Sequence, residues 1–428
     1  MALALVASLA SPAAQPPPPP GLVLVQTLPH SGGPPAVGGG SIYGLAPTAS
    51  GMALTAYRLA DGAQRWAVPV PASEQAPWVE VSGGVPIVTG LDPTRPGQLD
   101  LEMAAFDPDT GRLLWSRVGS PHGPVPAGSR WLAVQRQLSN DGVGSNLAAT
   151  EFAAVDIRTG RVLWTFRTVA GVATSLDLDV PASGGQPAMY AVTVAPGGVL
   201  TRHDPATGEE LARVRIGAEP DDTYLQLAGE LVFVWHGPNA GRRLAVHDAA
   251  TLARRWTEVD VGAGGGVIEC GQVVCVWHNG PRPRIYGVDP VTGRVRWTAP
   301  CGGRGDGLCD IEVGPLGPGR LAVQDEPFSP AGRLPPARVL DAATGEPVGT
   351  LHGWFPLWPS DGPDVVVRRV LREPAPPAAG GRVSFGRLRP GTASVRTLGT
   401  IDAEWCQPHG EHLVCSTGDA AWQVWRIR

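Results

Sequence analysis

The most informative absence in this sequence is lysine, which does not occur once among its 428 residues. The phosphate-binding loop of nucleotide hydrolases uses a lysine, and so do enzymes that form a Schiff base. Both classes of chemistry are therefore excluded. Charge is also scarce, since charged residues make up 17% of the chain and the net charge is −5. With no basic face available, we expect no nucleic-acid partner.

A long hydrophobic segment is also missing. The apolar run at residues 1–14 is shorter than the roughly 20 residues that a membrane-spanning helix needs. The first arginine is Arg58, so the run lacks the basic region that normally precedes the apolar core of an export signal. Such a run is typical of the apolar core and cleavage region of an export signal. Pro16 to Pro20 then predict a stiff, extended spacer. We expect residues 1–20 to be an export or anchor remnant with a spacer, whose start lies upstream, and residues 21–428 to form one domain.

What the sequence has in abundance is one short phrase, Asp-x-x-Thr-Gly-x-x-x-Trp, with apolar residues before it. Three copies are complete and four are weaker: residues 107–115, 156–164 and 289–297, then 61–66, 204–212, 248–256 and 341–349. The seven aspartates lie 41 to 52 residues apart. A period in the forties with strand-like flanks is typical of β-propeller blades of four antiparallel strands.

Each residue type in the phrase suits a tight turn between the third and fourth strands of a blade. The carboxylate can accept N–H groups of the turn, the glycine allows a positive φ, and the tryptophan can pack between sheets, burying roughly 150–250 Å². We therefore interpret the aspartates as turn residues, not as paired catalytic acids. The predicted repeat residues are Asp61, Asp107, Asp156, Asp204, Asp248, Asp289, Asp341, Gly111, Gly160, Gly293, Trp66, Trp115, Trp164, Trp256 and Trp297.

Three positions break the pattern of the phrase. Ala212 and Gly349 stand where tryptophan is expected, and Leu252 stands where glycine is expected. Because a large ring or a small turn residue is missing there, we expect these blades to pack less well.

The phrase resembles the pyrroloquinoline-quinone-type propeller repeat, Ala-x-Asp-x-x-Thr-Gly-x-x-x-Trp, which residues 154–164 match almost letter for letter. Seven copies over about residues 50–350 make this resemblance specific for the fold. It implies an all-β propeller. For activity it implies two classes, because the repeat occurs in quinone-dependent dehydrogenases and in non-catalytic scaffold propellers of the bacterial envelope.

The number of blades follows less directly from the sequence. A degenerate copy at residues 383–391 gives eight turn phrases, and a closing half-blade follows them. Eight blades is the commoner ring, so we predict eight, with seven and nine as alternatives. We also predict that a strand at Leu22 to Leu28 pairs with the last strand, Ala421 to Ile427, because this removes an open sheet edge.

The six cysteines fall into three close pairs, Cys270/Cys275, Cys301/Cys309 and Cys406/Cys415. Local pairs in an even number favour disulfides and an oxidising compartment, with free thiols as the alternative. The last pair brackets two histidines, His409 and His412, and this set could also be drawn as a zinc site. Its spacing matches no standard zinc motif, so a disulfide is the favoured interpretation.

The chain lacks Gly-x-Ser-x-Gly, His-Glu-x-x-His and the dinucleotide glycine fingerprint. The resemblance implies that a quinone-dependent dehydrogenase adds a disulfide between adjacent cysteines, along with carboxylate and amide ligands for calcium. Here no two cysteines are adjacent, and only four asparagines exist. We therefore expect no catalytic, cofactor-binding or metal-binding residue and no cofactor.

These observations favour a monomeric, non-catalytic scaffold or ligand sensor at the envelope of a bacterium. We expect it to be extracytoplasmic, either secreted or tethered to the cytoplasmic membrane through the N-terminal segment alone. Loops on one rim of the propeller are expected to bind a protein or envelope ligand. The alternative is a quinone-dependent dehydrogenase.

Overall fold

The structure is a computed structural model. It describes residues 21–29, 34–49, 51–70, 77–91, 101–121, 130–137, 150–167, 191–195, 197–204, 207, 209–216, 224–228, 230–236, 243–260, 265–278, 284–300, 311–316, 319–325, 337–357, 366–372, 381–389, 392–403, 405–417 and 421–428. Within these ranges, no helix is long and apolar enough to span a membrane.

The described strands form nine antiparallel sheets, and four strands are described in eight of them. The first strand of the chain is β1 (Leu22–Pro29), which belongs to the last sheet. The next strands build three sheets in chain order. Blade 1 contains β2 (Ala36–Gly38), β3 (Ser41–Thr48), β4 (Gly51–Arg58) and β5 (Gln64–Pro69). Blade 2 contains β6 (Trp78–Ser82), β7 (Val85–Leu91), β8 (Leu101–Phe106) and β9 (Leu113–Val118). Blade 3 contains β10 (Ser120–Pro121), β11 (Trp131–Gln137), β12 (Thr150–Asp156) and β13 (Val162–Arg167).

The middle three blades follow the same order. In blade 4 the described strands are β14 (Ala191–Ala195), β15 (Val199–His203) and β16 (Glu210–Arg215). Blade 5 contains β17 (Tyr224–Ala228), β18 (Leu231–His236), β19 (Arg243–Asp248) and β20 (Arg254–Asp260). Blade 6 contains β21 (Gly265–Cys270), β22 (Val273–His278), β23 (Arg284–Val288) and β24 (Val295–Pro300).

The last three blades contain the remaining strands. Blade 7 contains β25 (Ile311–Pro315), β26 (Arg320–Asp325), β27 (Arg338–Asp341) and β28 (Pro347–Thr350). Blade 8 contains β29 (Phe355–Pro356), β30 (Val366–Arg372), β31 (Gly381–Leu388) and β32 (Val395–Ala403). Blade 9 contains β33 (Trp405–His409), β34 (His412–Thr417) and β35 (Ala421–Ile427), with β1 as its fourth strand.

The all-β propeller of four-stranded antiparallel blades is confirmed, but the prediction of eight blades is wrong. Residues 405–427 are not a half-blade. They supply three full strands, and β1 pairs with β35 from Leu22 opposite Ile427 to Pro29 opposite Ala421. The ninth sheet therefore reaches four strands by using both ends of the described chain, which a count of turn phrases does not register.

The core lies between neighbouring blades rather than inside one sheet, because each sheet has two apolar faces. Leu54 of blade 1 and Phe106 of blade 2 share one apolar cluster, and Phe233 and Val276 of blades 5 and 6 share another. Blade 9 meets blade 1 in the same way, since Ile42 packs with residues of β1 and β35. Burial of both faces explains why many strands read as nearly continuous apolar runs.

The antiparallel order gives every blade two different ends. Turns between the third and fourth strands lie at one end, here called the turn rim: residues 59–63, 107–112, 157–161, 204–209, 249–253, 289–294, 342–346 and 389–394. Second strands end and third strands begin at the opposite end, here called the loop rim. In blade 9 no turn joins the third and fourth strands; instead the backbone N–H of Arg428 donates to the carbonyl of Gly21 at 2.7 Å. The N-terminal segment thus joins the propeller at the turn rim.

Candidate functional site

The repeated aspartates hold the turns of the turn rim. In blade 2, Oδ1 of Asp107 accepts the backbone N–H of Asp109 at 3.0 Å and that of Thr110 at 2.9 Å, as well as the Thr110 hydroxyl at 3.0 Å. Hydrogen bonds from Thr110 hold the pKa of Asp107 below its usual value. Turns of the same kind are built on Asp156, Asp248, Asp289 and Asp341, and Asp204 accepts the backbone N–H of Thr207.

Asp61 differs from the other six aspartates. Arg58 occupies the backbone place that Asp107 has in blade 2, since the Arg58 N–H donates to the Ala63 carbonyl and the Gly62 N–H donates to the Arg58 carbonyl. Asp61 then stands where the other turns have threonine. Its carboxylate accepts the Ala63 N–H at 3.1 Å and pairs with the Arg58 guanidinium at 2.8 Å.

In three blades the second carboxylate oxygen of the aspartate binds an arginine. Asp248 pairs with Arg255, Asp289 with Arg296, and Asp341 with Arg320. The Arg255 hydrogen bond, together with those from Thr251, lowers the pKa of Asp248 to about 2. Because both oxygens are engaged and the carboxylates are held ionised, these groups are poorly suited to donate or accept a proton in a reaction near neutral pH.

In blades 1, 2, 5 and 6 the tryptophan joins its blade to the turn of the next blade. The indole N–H of Trp297 in blade 6 donates to the carbonyl of Ala342 in blade 7 at 3.0 Å. A β-carbon built on Gly345 would lie 2.6 Å from that ring, so only glycine fits beneath it. The same contact joins Trp66 to Gly111, Trp115 to Gly160 and Trp256 to Gly293, while Trp164 is buried in a cluster within blade 3.

The blade 4–5 junction corrects the expectation of poorer packing. Leu252 takes the glycine place of the blade 5 turn at a φ of 58° and is 1% exposed. Its side chain lies in one apolar cluster with Ala212, the small residue that replaces tryptophan in blade 4. Here the large side chain belongs to the turn of blade 5 instead of the fourth strand of blade 4. It fills the volume between the two blades from the blade 5 side.

Two of the three cysteine pairs form disulfides, and each ties the first strand of a blade to the second. Cys270 is bonded to Cys275 in blade 6, and Cys406 to Cys415 in blade 9. Cys301 and Cys309 lie outside the described residues. The Cys406–Cys415 bond engages both sulfurs of the alternative zinc set. In the part of the chain that the structure describes, no group of three or more histidine, cysteine and acidic residues could hold a metal.

Two carboxyl groups whose pKa is raised by burial were not predicted from the sequence. Glu80 lies on β6, the first strand of blade 2, and burial raises its pKa, while the Ser82 hydroxyl donates to it at 3.2 Å. The repeat phrase does not include the first strand of a blade, so no signal in the sequence distinguished this residue. The second is Glu269 on β21, the first strand of blade 6, where burial and the charge of Glu230 raise the pKa. Glu80 and Glu269 lie on blades 2 and 6, which are not neighbours, so they do not form the pair of acids that glycoside hydrolysis needs.

The two rims differ in the lengths of the connections between their strands. Turns at the turn rim are five or six residues long in all eight blades that have one. At the loop rim, blades 2, 3, 7 and 8 join their second and third strands through residues 92–100, 138–149, 326–337 and 373–380. Rigid scaffolds with variable connections at one end commonly bind partners there.

The turn rim carries most of the exposed aliphatic side chains. Among the described residues, nine large hydrophobic side chains are exposed, and seven lie beside the turns of this rim or the Gly21–Arg428 contact: Leu24, Leu113, Val162, Leu211, Val291, Val295 and Val348. Only Leu371 and Trp405 lie at the loop rim. The sequence showed Leu113, Val162 and Val295 six residues after an aspartate, but alternation alone does not tell which of them face solvent.

The four-stranded blades and the interlocked Asp, Gly and Trp positions define a β-propeller of pyrroloquinoline-quinone-type repeats. A family model described as outer membrane protein assembly factor BamB matches residues 15–170 and residues 148–324, well over half of the chain. The chain belongs to this family. No curated protein matches its sequence.

Solved structures with a similar fold come from proteins of different functions. BamB from Moraxella catarrhalis is 14% identical over 95% of this chain and 98% of its own, with a TM-score of 0.45. A europium-containing methanol dehydrogenase is 13% identical over 95% and 93%, with a TM-score of 0.45. Saccharomyces cerevisiae Sqt1 is 9% identical over 96% and 99%, with a TM-score of 0.46. At these identities and TM-scores, the three structures support no conclusion about activity.

Proposed function

We propose that this chain is a non-catalytic, extracytoplasmic propeller that holds a protein or envelope ligand at its loop rim. In this proposal residues 1–20 tether it to the cytoplasmic membrane of a bacterium, and residues 21–428 form one monomeric propeller domain whose nine blades close into a ring. The observation that carries the proposal is the difference between the rims. Short turns of nearly constant length stand at one rim, and connections of very different length stand at the other.

Family membership and the disulfides support the same proposal. The family description names an assembly factor rather than an enzyme, and the two disulfides favour an oxidising compartment. The turn carboxylates of Asp248 and Asp289 are engaged with arginines. The described residues therefore offer a rigid frame for a binding surface.

The first experiment separates this proposal from the quinone-dependent dehydrogenase. The purified, oxidised chain is titrated with pyrroloquinoline quinone and calcium in a calorimeter, and dye-coupled alcohol oxidation is then assayed. We expect neither heat of binding nor turnover. Micromolar binding together with turnover would replace the scaffold proposal by the enzyme.

A second experiment tests which rim binds the partner. A photo-crosslinking amino acid is placed at Leu371 on the loop rim and, in a matched variant, at Val348 on the turn rim, both of which are exposed. In cells that express these variants, we expect the chain to crosslink to one discrete protein from position 371 and to no protein from position 348. Crosslinks to the same protein from position 348 alone would assign partner binding to the turn rim.

A further inference from the structure

We propose that the turn rim rests on an anionic lipid bilayer, so that the loop rim points away from the membrane. This inference depends on the tether in the proposed function and adds the orientation of the propeller. Three observations support it: the place where the N-terminal segment joins the fold, the exposed aliphatic side chains of this rim, and the arginines beside them.

The tether is short and enters at the turn rim. Gly21 is fixed there by its hydrogen bond with Arg428. Residues 15–20, one glutamine and five prolines, separate it from the apolar run, and six residues of any chain can reach no further than about 20 Å. The loop rim lies about 17–26 Å further away, the lengths of a five-residue strand such as β15 and an eight-residue strand such as β3. An apolar run held in a bilayer therefore keeps the turn rim, not the loop rim, near the lipid.

The turn rim offers apolar side chains in positions that suit the interface of a bilayer. Val291, at the tip of the blade 6 turn, is 71% exposed and is the most exposed large hydrophobic residue described. Val295 follows on the same blade, and Leu113 and Val162 occupy the equivalent place in blades 2 and 3. Burying such side chains at the lipid boundary is favourable in proportion to their apolar area.

An exposed arginine precedes three of these aliphatic residues, in the pairs Arg112–Leu113, Arg161–Val162 and Arg294–Val295. A long arginine side chain can lay its methylene groups along apolar surface while its guanidinium reaches lipid phosphates. Among the acids of these three turns, the carboxylates of Asp107, Asp156 and Asp289 are turned into their own turns. The exposed Asp109 of the blade 2 turn is paired with Arg65 of blade 1 at 3.0 Å, so Arg112 is not its ion-pair partner.

The distribution of these side chains favours a flat surface over a protein partner. They occur on blades 2, 3, 4, 6, 7 and 9 rather than on one or two neighbouring blades. A protein of ordinary size buries about 800 Å² on each side of an interface and would cover only part of such a rim, whereas a bilayer reaches all of these blades at once.

The test uses the full chain in vesicles of phosphatidylcholine and phosphatidylglycerol that carry a headgroup-attached quencher. One fluorophore is attached in turn to Val295→Cys, Leu113→Cys and Leu371→Cys, with the native disulfides kept oxidised. Leu371 is the matched control, because it is similarly exposed but lies at the loop rim. We expect quenching about threefold stronger at positions 295 and 113 than at 371, since Leu371 is the sixth residue of β30 and its label is about 17 Å further from the lipid. Replacing phosphatidylglycerol by phosphatidylcholine should reduce the difference.

Flotation of the vesicles is recorded on the same samples. A chain that floats while all three labels are quenched equally would overturn the orientation and leave the tether intact. A chain that does not float would overturn the tether and this inference with it. Because the three positions are exposed, circular dichroism should show the same fold for all variants.

Discussion

The blade 6–7 junction and the blade 4–5 junction use the same turn geometry with opposite side-chain sizes. In the first, Trp297 covers Gly345; in the second, Ala212 faces Leu252. Both turn residues have a positive φ, 72° for Gly345 and 58° for Leu252. A junction therefore requires a filled volume between the blades, and a side chain of either the strand or the turn can fill it. The tryptophan–glycine arrangement fills the space with an unstrained turn, whereas leucine fills it at a backbone conformation that costs about 1–2 kcal/mol.

The largest effect is expected from emptying the first junction. Trp297→Ala removes a buried ring that is hydrogen-bonded to Ala342 and covers Gly345, so the free energy of unfolding should fall by about 3–5 kcal/mol. Urea denaturation followed by circular dichroism measures it. Trp405→Ala is the control, because this tryptophan is partly exposed and should cost less than half as much. Equal losses would contradict the assigned role of Trp297.

The second prediction compares two glycine-to-alanine variants, so that the cost of backbone strain can be separated from the cost of a packing clash. Gly345 and Gly271 have φ angles of 72° and 74°, but a β-carbon meets Trp297 at 2.6 Å in the first case and nothing within 4 Å in the second. Gly271→Ala should cost about 1–2 kcal/mol for the left-handed conformation alone, and Gly345→Ala about 2–4 kcal/mol because the clash is added. Thermal unfolding of both variants checks this. If the two costs agree, the tryptophan does not restrict the turn.

A double-mutant cycle tests whether Ala212 and Leu252 compensate for each other. Leu252→Gly should leave a cavity and Ala212→Trp should clash with Leu252, so that each single change is destabilising. Together they recreate the arrangement of the other junctions, and we expect a favourable coupling free energy of about 1–3 kcal/mol. Urea denaturation of the wild type and the three variants gives this value. Strict additivity would show that the two residues do not share one space.

The smallest effect concerns the turn carboxylate that both kinds of junction share. The pKa of Asp248 is about 2 in the folded chain, below its ordinary unfolded value of about 3.9. Its contribution to stability is therefore complete above about pH 4 and is lost as the pH falls towards 2. We expect about 1–2 kcal/mol, because the partner Arg255 is half exposed.

Asp248→Asn should thus be less stable than the wild type at pH 7 by this amount, and the difference should shrink as the pH falls below 4. Chemical unfolding at pH 7, 4 and 3 measures it. A difference that stays constant with pH would assign the loss to geometry rather than to charge.

Much of the fold could be predicted because each residue type in the repeat phrase has a physical role in the turn or in the packing between blades. An acceptor, a turn residue with free φ and a ring at fixed spacing identify the third and fourth strands of a blade. First and second strands carry no such signal, so Glu80 was not predicted and the ninth blade was counted as a closing half-blade. Size compensation at Ala212 and Leu252 was read as two defects, because their contact spans 40 residues of sequence and becomes visible only across the blade junction.

The candidate surfaces were less predictable than the frame. Binding loops on one rim were expected, but the sequence does not order the strands in space and so could not say which rim. Likewise, the alternation of apolar and polar residues around Leu113 and Val295 is compatible with a buried or an exposed position for either side chain. Their exposure depends on the neighbouring blade, which is a tertiary property.

The pairing of β1 with β35 also determines when in folding the last blade can be completed. Leu22 and Ile427 are almost as far apart in sequence as two residues of this protein can be, yet they are partners in one sheet. If the N-terminus is exported first, β1 waits for the whole chain before its edge is paired. Contacts of such long sequence separation form slowly, and an unpaired strand edge invites association with other chains. The time between the arrival of the first strand and that of the last is therefore the period in which this propeller is most exposed to aggregation, and a helper that shields one β-strand would serve it best then.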